Sequence, residues 1–439
     1  MGHPRDRPEP RLTRRRLLQG AAGSALGVGA VGALAACQNT TKPLGSGAGG
    51  AGSKLVVAKP LGPGGLPLPR TDNAVTWAIT DDNRPIPSGR PTETGTLRIY
   101  NYADYVWPGL LKKFEQRYGA KVQLATYNSS DEAIAKLAAG AVSFDVIIGL
   151  SGSNIVNLIA QQLLQPLNHD YLPNLARNVW PELADPFYDR GSRYTVPYVV
   201  WMDGIGWRND KVREPVATMP VPWDIFWESQ AYRGKVGVLD DKRDALSLPI
   251  MRRAMRSGAM PDVNTEDPAL VAAAGRDLGQ LPAICNVKVA ITDYQTLPEA
   301  KTWLHYSWSG DLLSGAFYYL PKGVKADVLS FWGPAKNGVV QNDFLCIGRA
   351  SKSPVLAHRF LDFLLDERNA YENFVQFVGY TPPQKTIDAE ALIKRGVIPK
   401  TLHDAVVRPD QFASNQELLQ LSIEGERLWD DAWSRFKAG

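Results

Sequence analysis

From Thr96 onward, short apolar runs alternate with amphipathic segments bounded by helix signals, and this restricts the chain to a mostly parallel sheet covered by helices. Residues 97–101 read as a strand. Pro108 stands where the first turn of a helix would begin, with Trp107, Leu110, Leu111, Phe114 and Tyr118 as one apolar stripe and Gly119 placed to close it. A second strand is expected over 121–127. Ser129-Ser130-Asp131-Glu132 has capping-box spacing ahead of a helix carrying Ile134 and Leu137. The continuous apolar run 144–148 fits a parallel strand buried on both faces. Ser153 is expected to cap the next helix, which carries Ile155, Leu158 and Ile159. Farther on, 235–239 and 343–347 read as strands and 353–365 as a helix. A terminal helix is expected over 414–436, opened by Ser414-Asn415-Gln416-Glu417. The roughly 345 residues from Thr96 to the end exceed the 250–300 or so that one core serves, so two lobes are expected.

The segment ahead of Thr96 has another character. Residues 1–36 read as an export signal. Thr13-Arg14-Arg15-Arg16-Leu17-Leu18-Gln19 fits the twin-arginine pattern, and 20–36 is a run of mostly Gly, Ala, Leu and Val. That run is too short and too rich in Gly to span a bilayer, which takes about 20 strongly apolar residues. It ends Leu34-Ala35-Ala36-Cys37, which looks like a lipobox, so Cys37 is expected to carry lipid and to begin the mature chain. No later stretch reaches about 18 uninterrupted apolar residues, which leaves the lipid as the one expected anchor. Residues 37–95 read as the lipidated N-terminus and a flexible tether: 45–53 is nearly all Gly, Ala and Ser, and 60–91 is dense in Pro and polar residues.

Charge and motif content exclude several classes. The chain has 49 basic and 45 acidic residues, but six Arg and two acids fall within 1–36, so the remainder is balanced at 43 of each. A neutral body does not fit a nucleic-acid partner. Besides Cys37 only Cys285 and Cys346 occur; a disulfide is open to them in an oxidising compartment, but their apolar neighbours favour two small buried hydrophobes. Gly149-Leu150-Ser151-Gly152-Ser153 only approximates a nucleophile elbow, and His169, His305, His358 and His403 show no metal-ligand spacing. No phosphate loop or dinucleotide fingerprint occurs. No catalytic residue, cofactor or metal is therefore expected.

What remains is a set of aromatics beside carboxylates at expected element ends: Tyr100-Asn101-Tyr102-Ala103-Asp104-Tyr105, Asp240-Asp241-Lys242-Arg243-Asp244, Trp308-Ser309-Gly310-Asp311, Asp343, and Gly379-Tyr380-Thr381-Pro382-Pro383. Ligands of open α/β sheets bind beyond the carboxyl ends of strands. A single Asp there is more often a helix cap; five such places together point to a cationic ligand. An alkylammonium leaving water needs compensating negative charge, and aromatic faces both pack a methylene chain and attract the cation.

On these motifs, with Phe144-Asp145-Val146-Ile147-Ile148, Val196-Pro197-Tyr198 and Gly204-Ile205-Gly206, residues 96–439 resemble the spermidine/putrescine-binding proteins of bacterial ABC importers. The resemblance implies a two-lobed α/β fold of the type II periplasmic-binding-protein kind with a two-strand hinge. Lobe 1 would comprise 96–200 plus 343–385 and lobe 2 would comprise 201–342 plus 386–439. It implies aromatic walls from Tyr102 and Tyr105 with Asp104 nearby, Asp241 and Asp244 on one ammonium end, and Trp308 on the methylene chain. Asp311 and Asp343 would take other amino groups, Tyr380 would close the site, and Ser151 and Gln420 would stand at family contact positions. It further implies a polyamine ligand, an ABC permease as partner and a monomer, while the export signal and Cys37 imply a place on the outer face of the cytoplasmic membrane. Three positions depart from the family: Tyr102 and Gln341 stand where it usually has Trp, and its Ser after the third strand falls near Leu150 or Ser151. The same fold could bind another small solute, or serve a surface protein that signals to a membrane partner.

Overall fold

The strand–helix alternation is realised as a sheet ladder in which one long strand belongs to two sheets. A computed structural model of the chain describes residues 65, 67–140 and 143–439, so the expected signal segment, Arg14-Arg15 and Cys37 lie outside the described residues. β1 (Thr96–Tyr102), α1 (Pro108–Tyr118), β2 (Lys121–Tyr127), α2 (Ser130–Ala138), β3 (Val146–Ser151) and α3 (Gly152–Ala160) follow one another. Pro108 occupies the first turn of α1, where its missing N–H costs nothing, and Gly119 closes the helix with φ 63°. Ser129 caps α2 by accepting from the Glu132 amide at 3.2 Å. At α3 the cap position is Ser151 rather than Ser153, because β3 continues to Ser151 and the helix starts directly after it.

The remaining elements that position the site are β4 (Val196–Arg208), β5 (Val236–Val238), α4 (Lys242–Ser257), α5 (Pro268–Leu278), β6 (Lys288–Val289), β7 (Leu304–Trp308), α6 (Ser309–Ser314), β8 (Leu329–Trp332), β9 (Val339–Ile347), α7 (Pro354–Leu364), β10 (Gln416–Glu417) and α8 (Ile423–Ala438). The strand order is β2-β1-β3-β9-β4-β7-β5-β6, with β10 beside β9 and β8 beside β4. β1 is parallel to β2 and β3, while β9 runs antiparallel to both β3 and β4. Along β4, Val196–Met202 lies against β9 in one sheet and Asp203–Trp207 against β7 in the other. The chain returns from β8 in the second sheet to β9 in the first. Two strand passages thus connect a first lobe to a second. Every residue of β4 and β9 is buried, as expected where sheet, partner strands and helices cover a strand on all sides.

Alternation along the first sheet divides its core. Leu97, Ile99, Val146 and Ile148 meet Leu110, Phe114 and Phe360 on one face; Tyr100, Ile147 and Phe344 meet Ile155 and Leu158 on the other. The second lobe has its own cluster, where Tyr306, Val236 and Val238 pack with Leu246, Trp223 and Trp429. Cys285 lies in that cluster and Cys346 in the first lobe; both are buried free thiols, in agreement with the hydrophobic reading. Among the described residues no helix is long and apolar enough to cross a membrane.

Two further expectations need correction. The tether does not extend to residue 95: Leu68 and Val75 are fully buried, the Trp77 indole donates to the Tyr188 carbonyl at 2.8 Å, and the Asn83 side chain donates to the Leu164 carbonyl at 2.9 Å. A few apolar anchors and direct backbone bonds, such as Val75 to Phe187, hold this Pro-rich stretch without any helical or strand periodicity. The terminal helix begins at Ile423, not near 414. Ser422 caps it, accepting from the Gly425 amide at 3.0 Å, while Gln416 and Glu417 pair with Val339 and Val340 as a short parallel strand.

Candidate functional site

β9 places Asp343 between Ser151 of β3 and Val199 of β4. The Tyr105 hydroxyl donates to Asp343 Oδ2 at 2.6 Å, and Trp201 bonds the same carboxyl. Burial outweighs these bonds and pushes the carboxyl up to about 6. The Tyr105 ring packs edge-on against Tyr198 at 5.7 Å and Tyr380 at 5.2 Å. Tyr380 in turn donates its hydroxyl to Asp311 Oδ1 at 2.9 Å. Two glycines make this possible. A Cβ on Gly310 would come within 2.3 Å of the Tyr380 ring. At Gly379, φ is +75° and a Cβ would meet the Ser314 amide at 2.3 Å.

The second group of acids lies at the N-terminus of α4 and the end of β7. Asp241 caps α4, its Oδ1 accepting from the amides of Arg243 and Asp244 at 2.8 and 3.3 Å. Asp244, 3 % exposed, accepts from the Trp308 indole at 3.1 Å. Burial first, then the neighbouring Asp203 and Asp241 charges, holds the Asp244 carboxyl well above the ordinary range. The Trp308 ring stands 5.6 Å from Trp201.

Tyr105, Asp311, Asp343 and Tyr380 are therefore one buried group, and Asp244 with Trp308 a second, with Trp201 touching both. Tyr102 is half-buried beside Tyr105, ring centres 5.8 Å apart. Asp104 is exposed in the turn after β1 at φ 59°, a conformation Asp tolerates. Asp241 is exposed and serves as a helix cap. Ser151 is half-buried and accepts from the Asn154 side chain at 3.2 Å. Gln420 sits ahead of α8 and donates to Asn157 at 3.1 Å. With Ser153, Tyr188 and Glu417 it lines a cavity of about 10 Å³, space for about one water. The Glu417 carboxyl is raised to about 8 by burial; the residue is half-buried, but a cavity of that size cannot solvate a charge as bulk water does.

Sequence reasoning passed over Trp201, Asp203 and Glu417. Trp201 is the direct cross-strand partner of Gln341, so an indole stands beside the position where the family's Trp is absent. Asp203 is the one acid in a strand whose 13 residues are all buried, and that mismatch was the available signal. Glu417 was hidden by the expectation of a helix there. No ion pair joins Asp203, Asp244 or Asp343 to a basic side chain among the described residues, and no cluster of three or more His, Cys, Asp or Glu side chains there could hold a metal ion. Lys242 is engaged by Glu426 and Asp430. Such a site attracts a cation that brings its own charge.

Two α/β lobes joined by two strand passages, with unpaired acids and aromatics buried at the strand ends, define a solute-binding architecture of the type II periplasmic kind. Residues 109–400 match the family of bacterial extracellular solute-binding proteins, and the chain belongs to it. It is thus a binding protein and not an enzyme. It is 28% identical over 358 residues to the putrescine/cadaverine-binding protein of Pseudomonas aeruginosa, covering 80% of this chain and 96% of that one. It is 27% identical over 353 residues to the spermidine/putrescine-binding periplasmic protein of Escherichia coli, covering 79% and 93%. Among solved structures, a putative spermidine/putrescine ABC transporter protein from Listeria monocytogenes superposes with TM-score 0.64 at 22% identity, over 78% of this chain and 98% of that one. A lipoprotein of Treponema pallidum gives 0.63 at 21%, over 78% and 99%. These superpositions establish the type II fold.

The site makes the ligand-free protein sensitive to pH. An acid whose pKa is raised by folding stabilises the fold below its unfolded value, and that contribution is lost as pH rises through the folded value. For Asp343 the loss runs from the ordinary Asp range through about 6. Thermal melts of the amine-free protein should show Tm falling as pH rises from about 4 to about 7, with a smaller fall in Asp343→Asn. A Tm that climbs over this interval equally in both proteins contradicts the assignment.

Proposed function

We propose that this protein captures a polyamine of the putrescine or spermidine kind outside the cytoplasm and hands it to the permease of an ABC importer. The observation that carries the reading is the burial of Asp244 and Asp343 without a basic partner, framed by Trp201, Trp308, Tyr105 and Tyr380. A polyamine supplies what each part lacks. Its ammonium groups offset the carboxylates, and its methylene chain packs on the rings, each good cation–ring contact contributing about 0.5–2 kcal/mol. Acids in two groups suit a ligand charged at more than one point. The relatives named for putrescine, cadaverine and spermidine point the same way.

In this reading Asp241 and Asp244 face one ammonium group, and Asp311 and Asp343 another. Tyr102, Tyr105 and Trp308 form the walls and Tyr380 closes the site, with Asp104, Ser151 and Gln420 at the rim. The lobes that close on the ligand are 96–200 plus 343–385 and 201–342 plus 386–439. The protein acts as a monomer, exported by its twin-arginine signal and held on the outer face of the membrane by lipid on Cys37. Cys37→Ala should abolish lipid labelling, and replacing Arg14 and Arg15 together by Lys should leave precursor in the cytoplasm. Normally lipidated surface protein from both variants would refute the anchor.

The ligand is tested by calorimetric titration with putrescine, cadaverine, spermidine, spermine, lysine and arginine. At least one polyamine should bind more tightly than either amino acid. Asp343→Asn should weaken that binding by about 2–5 kcal/mol, the usual loss when one partner of a desolvated charge pair is removed. Trp308→Ala should weaken it through lost packing and lost attraction to the ring face. Tight binding of an amino acid with no polyamine bound, or amine affinity unchanged in Asp343→Asn, would overturn the proposal.

A further inference from the structure

The strand shared by the two sheets carries an acid where it changes partners. Asp203 is the first β4 residue paired with β7, directly opposite Trp308. It is fully buried, and one oxygen accepts the Tyr306 hydroxyl at 2.5 Å. Its other oxygen, Oδ1, has no partner among the described residues, and Oδ1 of Asp244 is in the same condition. The Trp308 indole, directly across the strands from Asp203, donates to Asp244, which brings the two carboxyls to one site.

The other groups around the pair do not neutralise it. Tyr306 and Trp308 on β7 are uncharged donors, and Asp241, at the start of α4, adds negative charge. Arg243 bears on Asp244 and Asp241 through its charge but makes no hydrogen bond to them: its guanidinium donates to the carbonyls of Leu419 and Val263 and to Asn264, and lies 4.5 Å from the centre of the Trp429 ring. Lys242 is paired with Glu426 and Asp430. Two carboxylates in one buried site cannot both stay ionised without a cation, so the empty pair must retain a proton.

We propose that Asp203 and Asp244 share a proton while the cleft is empty and exchange it for one ammonium group of the ligand, Asp203 being the residue that sets this exchange. The inference rests on the polyamine reading and deepens it. The ammonium enters with its proton in place, the proton shared by the two acids leaves to solvent, and both carboxylates remain ionised against the ligand. Burial raises both carboxyls and each charge raises the other, so the pair keeps its proton to higher pH than Asp343, which is raised to about 6. Affinity for a diamine must then rise with pH where the ligand's own charge is constant.

The test is calorimetric titration of the full chain with putrescine at pH 7 in phosphate and in Tris, whose different ionisation enthalpies report protons released, together with affinities at pH 6.5 and 7.5. The parent should release close to one proton through this pair, with affinity rising about tenfold over that unit of pH. In Asp203→Asn the release should drop by about one proton and the rise should shrink to about twofold or less. Tyr306→Phe, which removes the donor favouring ionised Asp203, should keep the release and bind more weakly at pH 6.5. Amine binding with equal proton release in parent and Asp203→Asn would overturn this inference and leave the polyamine reading intact. Failure of the parent to bind any polyamine would remove both.

Discussion

A carboxylate taken out of water without a cation is among the most costly things a fold can bury. This protein does so at Asp203, Asp244 and Asp343, each 7 % exposed or less. Hydrogen bonds from Tyr306, Trp308 and Tyr105 lower the penalty but do not cancel it, because a phenol or an indole brings no charge. In the ligand-free site the acids are therefore raised above the ordinary Asp range and hold protons more readily. A ligand that brings its own positive charge would let these carboxyls ionise.

The architecture follows from the need to assemble such a site from distant parts of the chain. β4 and β9 run side by side, so Trp201 meets Gln341 and Val199 meets Asp343. One residue beyond the end of that pairing, Asp203 already faces Trp308 of the second sheet. Acids that belong to different sheets are thus tied to the same two strand passages on which lobe movement would turn. The aromatic chain Tyr198, Tyr105, Tyr380 continues the link, through Asp311, to α6. Glycine at 310 and 379 lets Tyr380 lie against that helix.

Much of this was legible in the sequence because local rules agree with the tertiary answer. Pro108 and Gly119 bound a helix, and Lys121–Tyr127 is a strand with the expected limits. Tyr105, Asp244, Trp308, Asp311, Asp343 and Tyr380 stand out as aromatics and acids at element ends; Tyr105, Asp311, Asp343 and Tyr380 form one buried group and half-buried Trp308 meets Asp244 in a second. Errors arose where tertiary contacts override local signals. Ser414 to Glu417 looks like a helix start, yet Gln416 and Glu417 are drawn into pairing with β9. Residues 67–94 lack periodicity, yet Trp77 and Val75 anchor them. Asp241 shows that a helix cap and a site acid look alike in sequence: it caps α4 and also acts by its charge on Asp203 and Asp244. Trp201 and Asp203 were missed for the opposite reason, being in the interior of a strand that reads as core.

The central claim is that buried, unpaired acids define the ligand's charge pattern, and a crystal structure of the protein with bound putrescine tests it most directly. The account predicts one nitrogen at hydrogen-bonding distance, about 2.7–3.2 Å, from Asp244, the other at that distance from Asp343, and the carbon chain against Trp308. A complex in which the amine lies outside this cluster, or in which its nitrogens contact only carbonyls and water while the acids stay unpaired, would contradict it.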